Sequence, residues 1–183
     1  SDSGVAVAGE LWAPHGSTSD ELLPLLVAND GREYAQFGDL LGYVGWLGRA
    51  RPELRCRVML LDPVNRDRSY SASPAYGRML TRRLLPELRA RFRTRGAPVG
   101  MGASLGAVAI LQAASSDPGT FGGVLLQSGS FFTEAFDAHE SGFRFYPRLL
   151  RFTSALDAQP ERYDGLEVVM TCGTGEENLQ NNR

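Results

Sequence analysis

Gly102-Ala103-Ser104-Leu105-Gly106 constrains this chain more than any other stretch. The pattern G-x-S-x-G marks a sharp turn from strand into helix that lifts a serine hydroxyl clear of a sheet. Backbone crowds against backbone at such a turn, so residues without a Cβ are needed on both sides of the serine. The flanks agree with it. Pro98–Met101 is short, apolar and strand-like, and Ala107–Ala114 is small and apolar enough to be a helix packed on a sheet. The motif alone is weak in a chain with 21 glycines, which generate chance matches. The alternative is an ordinary βα turn whose serine caps the next helix. The strand before and the helix after favour the elbow.

The rest of the chain alternates strand and helix signals around this turn. Gly4–Ala13 alternates loosely and reads as a first strand. Leu22–Ala28 is a continuous apolar run, the mark of a strand buried on both faces, and it ends in the tight turn Asn29-Asp30-Gly31. Val58–Leu61, Gly122–Gln127 and a last strand at Leu166–Cys172 read in the same way. Phe37, Leu40, Leu41, Val44 and Leu47 predict one helix over Tyr34–Ala50. A second helix is predicted from Pro74 to about Arg93, kinked or broken at Pro86. A third is predicted around Arg148–Leu156, and Asn65–Ser73, polar and without periodicity, reads as a loop. Residues 131–160 hold many aromatics among charges and read as an excursion that could cover a site. Buried strands alternating with helices imply an α/β sandwich with a mostly parallel sheet.

Length and composition bound the function. The 183 residues suit a single domain spanning 1–183. Net charge is −2, and the 19 cations, all of them arginine, are scattered without a basic stripe, so nucleic acid is not expected as a partner. Cys56 and Cys172 sit in separate apolar runs and read as buried strand residues. The cysteines and the two histidines are never at metal-ligand spacing, and a phosphate-binding GxxxxGK[ST] loop needs a lysine that the sequence lacks. Neither a metal nor a cofactor is therefore expected. No apolar run approaches the roughly 18 residues of a membrane span. With no secretory leader the expected compartment is the cytoplasm, although Ser1 in place of an initiator Met leaves a processed end open. Nothing in the composition fixes the oligomeric state.

Serine is a poor nucleophile by itself; it needs a base, a group to orient that base, and donors for the oxyanion. In elbow-bearing sheets one donor is the backbone N–H after the nucleophile, here Leu105, and the other comes from the loop after an earlier strand. The Asn29–Arg32 turn is placed to supply it, with the Arg32 N–H as the expected group; a plain turn is the alternative reading. The acid is expected after a later strand, where Glu176 and Glu177 stand, Glu176 being the better candidate. The base is harder to place. His15 precedes every catalytic loop and reads as a surface turn residue, and His139 lies between elbow and acid, out of the usual order. The base is expected on a loop beyond Arg183, which implies a chain that stops short of its own last strand and helix.

Several stretches together resemble the enterochelin-esterase-like family of α/β-hydrolases, related to feruloyl esterases, S-formylglutathione hydrolases and mycolyltransferases. They are Pro24–Tyr34 (PLLVANDGREY), Leu84–Leu88 (LLPEL), Gly102–Ala107 (GASLGA), Leu125–Phe131 (LLQSGSF) and Cys172–Asn178 (CGTGEEN), in the family's order and spacing. The resemblance implies a three-layer α/β-hydrolase sandwich lacking its C-terminal strand and helix, and a serine esterase acting on a small-molecule ester. It implies Ser104 as nucleophile, the Leu105 and Arg32 amides as oxyanion hole and Glu176 as acid. Members usually carry their histidine before a Trp in a terminal segment without counterpart here. Ala107 stands where Gly is commoner, and Arg68-Ser69-Tyr70 departs from the Arg-acid pair of enterochelin esterases, which argues against a siderophore substrate specifically. Two other readings stay open: an inactive relative that binds a ligand in the same cleft, and an acyltransferase of the mycolyltransferase type.

Overall fold

A computed structural model describes residues 5–156 and 158–182. Strand β1 (Val7–Trp12) leads into β2 (Leu25–Asn29), which turns through Asp30 into helices α1 (Gly31–Phe37) and α2 (Leu40–Ala50). Next come β3 (Arg57–Pro63), α3 (Arg66–Tyr70), α4 (Pro74–Met79), a π-helical turn over Leu80–Leu84, and α5 (Leu85–Arg91). Strand β4 (Val99–Ala103), the long helix α6 (Leu105–Ser116) and β5 (Gly123–Gln127) follow. The chain then passes through α7 (Glu134–Asp137), α8 (Tyr146–Ser154) and β6 (Glu167–Thr171) to a 3-10 helix, Glu177–Asn182.

The six strands form one sheet in the order β1-β3-β2-β4-β5-β6, with β1 antiparallel to β3 and every other pair parallel. The alternation of strand side chains builds a core on each face. Leu25, Val27, Met59 and Leu61 pack with Tyr76, Leu80 and Leu85 and with α6 on one side. Ala28, Val58, Leu60 and Met101 pack with Val44 of α2 on the other. Helix α6 is buried along Leu105–Ser115, as an all-round apolar helix must be.

The structure departs from the sequence reading in five places. The helix expected over Tyr34–Ala50 is two helices, because the chain passes through Gly38 and a left-handed Asp39 (φ 45°) between them. The expected loop Asn65–Ser73 contains α3, nucleated by Asn65, whose side chain accepts from the Arg68 N–H at 2.9 Å. Pro86 neither breaks nor ends its helix; the preceding turn widens to a π-helix, and the missing N–H falls in the first turn of α5. Strand β6 is exposed along its whole length, with Val168, Val169 and Met170 at 47, 56 and 39%. It lies at the sheet edge and pairs only with β5 among the described residues. Cys56 and Cys172 flank strands rather than lying in them, and both are half-buried free thiols.

Candidate active site

Strand order reverses between β2 and β4. From β2 the chain moves outward to β3, and from β4 it moves the other way to β5 and β6. The helices after β2 and β4 cover opposite faces of the sheet. A crevice must then open beyond the carboxyl ends of these two strands, where the connections part. Asp30 and Ser104 stand on its two sides.

Ser104 sits at φ 54°, ψ −122°, between β4 and α6. A non-glycine residue at such a φ costs on the order of 1–3 kcal/mol and persists only where its surroundings impose it. Here they do. A Cβ on Gly102 would stand 2.4 Å from the Gly106 carbonyl carbon and 2.9 Å from the Ala107 nitrogen. The Ser104 N–H donates to the Gln127 carbonyl at 3.0 Å, and the Ser130 N–H donates to the Ser104 carbonyl at 3.2 Å.

A polar network ties this turn to the end of β2. Asn29, wholly buried, donates from Nδ2 to the Gly106 carbonyl at 2.9 Å and accepts from the Tyr76 hydroxyl. Tyr70 Oη accepts from the Asp30 N–H at 3.1 Å and donates to the Leu61 carbonyl at 3.2 Å. Arg66 grips the Asp30 carboxylate with both arms, at 2.9 and 2.8 Å, and reaches the Ala103 carbonyl at 3.5 Å. The Tyr34 hydroxyl donates to Gln127 Oε1, and burial, then the Asp30 charge, pushes its pKa up to about 12.

Two cavities meet at Ser104. One, of about 590 Å³, is lined by Leu105, Ser130, Phe132, His139 and Glu176 among others; the second, of about 480 Å³, by Asp30, Tyr34, Phe37 and Arg66. Glu176 is exposed, and a hydrogen bond from the Ser128 side chain, then one from the Gly173 amide at 2.8 Å, holds its pKa below the usual carboxylate value. Glu177 lines the same cavity. His139, on the 3-10 turn Ala138–Gly142, stands 3.7 Å from Glu140 and has no hydrogen bond to Ser104 among the described residues. His15 is at the far end of the sheet: it lines a cavity with Trp12, which pairs with Val58 near the start of β3.

The structure brings Ser104, Leu105 and Glu176 to one cavity and leaves Arg32 out of it. The Arg32 N–H donates instead to Asp62 Oδ1 at 3.3 Å, and its guanidinium lies 3.7 Å from the same carboxylate. The left-handed Asp30 starts α1 a residue early and turns that amide toward the end of β3. The Arg32 amide, expected to face the nucleophile, thus has a partner of its own outside the cavity that Ser104, Leu105 and Glu176 share. The polar neighbour that sequence reasoning passed over is Ser130, whose hydroxyl is 2.9 Å from that of Ser104. Its signals were its place directly after β5 and within the stretch Leu125–Phe131 that carries part of the family resemblance.

The six-stranded mixed sheet with helices on both faces is a fold of the α/β-hydrolase type. The family described as "Putative esterase" matches residues 10–183, and the chain belongs to that family. Among solved structures it is similar to the enterochelin esterase of Shigella flexneri, at 20% identity and a TM-score of 0.64, covering 95% of this chain and 52% of that one. It is also similar to the ferric enterobactin esterase of Salmonella typhimurium, at 19% identity and a TM-score of 0.60, covering 97% and 57%. A ferulic acid esterase is similar at 14% identity and a TM-score of 0.72, covering 97% and 82%. At these identities the likeness establishes the fold. The chain spans about half the length of the Shigella enterochelin esterase chains it matches. No curated protein matches it.

Proposed function

We propose that the protein is a serine carboxylic ester hydrolase in which Ser104 attacks the ester carbonyl. The observation that carries this reading is the forced, left-handed Ser104 at the crevice between β2 and β4, its hydroxyl opening on the cavity that Glu176 lines. A side chain held so has no structural use that an unstrained serine would not serve as well. The Leu105 N–H, first in α6, is one oxyanion donor. Glu176 is the acid: its depressed pKa keeps it charged at neutral pH, as a group that orients an imidazole and stabilises imidazolium must be. The imidazole that completes such a site is assigned to neither His15 nor His139, since neither is hydrogen-bonded to Ser104 among the described residues.

Ser104 Oγ adds to the carbonyl as its proton passes to that base. The alcohol leaves with the proton, and water then releases the acyl group by the same steps. Membership of the esterase family and the enterochelin and ferulic acid esterase neighbours support the reaction class.

The test uses the full-length gene product. A fluorophosphonate probe is expected to label it on Ser104 and to leave Ser104→Ala unlabelled; equal labelling of both refutes the assignment. Glu176→Gln is expected to lower ester turnover by on the order of 10²–10⁴-fold. Complete loss of labelling in His139→Ala would move the base to His139.

A further inference from the structure

Ser104 Oγ has one hydrogen-bond partner among the described residues, the hydroxyl of Ser130 at 2.9 Å. Ser130 is 7% exposed and could not have come there by chance rotation of a surface side chain. Its backbone is fixed on every side. Its own N–H donates to the Ser104 carbonyl at 3.2 Å, so the two serines are joined through main chain as well as side chain. Gly129 is clamped by Asn182, which accepts from the Gly129 N–H at 2.9 Å and donates to the Gly129 carbonyl at 2.8 Å. Asn178 donates to the Ser128 carbonyl at 2.5 Å, and Ser128 itself is left-handed at φ 47°, its N–H on the Thr171 carbonyl at 2.7 Å. Beneath the loop the Phe131 ring lies where any Gly129 side chain would go. So many constraints on three residues have one evident product, a hydroxyl at hydrogen-bond distance from the nucleophile.

Resting on the reading of Ser104 as nucleophile, we propose that Ser130 is a second hydroxyl of the reaction centre, one that binds Ser104 Oγ in both of its charge states. A serine hydroxyl rotates freely and both donates and accepts. While Ser104 is neutral, Ser130 accepts its proton in a hydrogen bond and holds Oγ facing the cavity shared with Glu176. As the Ser104 proton departs to the base, the Ser130 O–H turns to donate to the oxygen that gains charge. No proton passes between the two serines. Donation to the oxygen as it gains charge favours the charged form and lowers the barrier to attack. The asparagines Asn178 and Asn182 act through Ser130 and are positioning residues only.

The experiment is the rate of fluorophosphonate labelling against pH for wild type, Ser130→Ala and Ser130→Thr, with thermal unfolding of each. Ser130→Ala is expected to label at least about tenfold more slowly, the loss of one hydrogen bond to a charging oxygen. Its rise with pH, set by the base, should keep its midpoint while the plateau falls, and its unfolding midpoint should stay near that of wild type. Ser130→Thr, which keeps the hydroxyl, should recover the rate to within about threefold. Labelling of Ser130→Ala within twofold of wild type overturns the inference and leaves Ser104 as nucleophile. So does equal slowing in both variants with lowered midpoints, which would make the role one of packing. Absence of labelling in wild type overturns the nucleophile reading and this one with it.

Discussion

Gly102→Ala should be among the most damaging single methyls that can be added near the site. The new Cβ would lie 2.4 Å from the Gly106 carbonyl carbon, 2.5 Å from its oxygen and 2.9 Å from the Ala107 nitrogen. All three are main chain, held by α6, so no side chain can swing away. Either β4 and α6 separate or the elbow opens. Overpacking of a rigid core costs about 1–3 kcal/mol, and contact with backbone alone puts this case at the upper end, about 3 kcal/mol. For a chain of this size that lowers the unfolding midpoint by roughly 6–12 °C. Displacement of the serine by even about 1 Å would cut reactivity by on the order of 10²-fold. Gly45→Ala is the control. A Cβ there meets only Arg49 Nη1 and the Trp12 ring at 3.6 Å, ordinary contact, within helix α2. It should raise stability by about 0.5–1 kcal/mol, because glycine gives up more backbone freedom than alanine on entering a helix. Circular dichroism melts and fluorophosphonate labelling read both variants. A Gly102→Ala protein that melts within about 1 °C of wild type and labels at the wild-type rate would refute the crowded-elbow argument.

Arg66→Ala should cost about 2 kcal/mol. It leaves the Asp30 carboxylate, 8% exposed, without its counter-charge, and the loss falls short of the 3–5 kcal/mol of a fully buried pair because Arg66 is 36% exposed; urea midpoints unchanged from wild type would contradict this. Asn29→Ala should cost about 2–4 kcal/mol, since the Gly106 carbonyl and the Tyr76 hydroxyl both lose a buried partner; a loss below about 0.5 kcal/mol would mean that the network does not brace the elbow. Tyr34 gives a pH signature. Burial and Asp30 raise its pKa to about 12, so the stability it contributes is complete below about pH 10 and is lost as pH climbs from there toward 12. Wild type should therefore weaken more steeply than Tyr34→Phe across that window, and parallel curves would refute the assignment.

What was legible in the sequence was whatever depends on local order. The tight turn at Ser104 needs its glycines within a few residues, and the apolar runs at Leu22–Ala28 and Val58–Leu61 declare buried strands by themselves. Strand β6 carries the same apolar signal in Val168, Val169 and Met170, yet its exposure is decided by sheet order, which no short window contains. Helix α3 escaped a search for periodicity because five residues make little more than one turn. The Asp62 partner of the Arg32 amide was hidden for a related reason. Which amide of a turn faces a cleft depends on φ at Asp30, and a left-handed aspartate is an uncommon state that the sequence permits without announcing. Ser130 was equally hidden, since its neighbour Ser104 is 26 residues away and the clamp that places it another 52 beyond.

The same residues that close the fold also shape the site, and the reason lies in the sheet. At the point where the strand order reverses, the carbonyl and amide groups just past β2 and β4 have no neighbouring strand to satisfy them. Buried polar groups must find partners, and these do so in Asn29, Tyr70, Tyr76, Asp30 and Arg66. A network that is fully bonded is stiff, and stiffness is what holds Ser104 at a backbone angle it would not choose alone. The loop after β5 repeats the solution on the other side of the serine. There Asn178 and Asn182 satisfy main-chain groups of Ser128 and Gly129, and the hydroxyl of Ser130 is carried to Ser104 as a consequence. Ser104 is thus braced from both strands that flank β4, and a loosening on either side should be felt first as a loss of its geometry rather than as unfolding of the sheet.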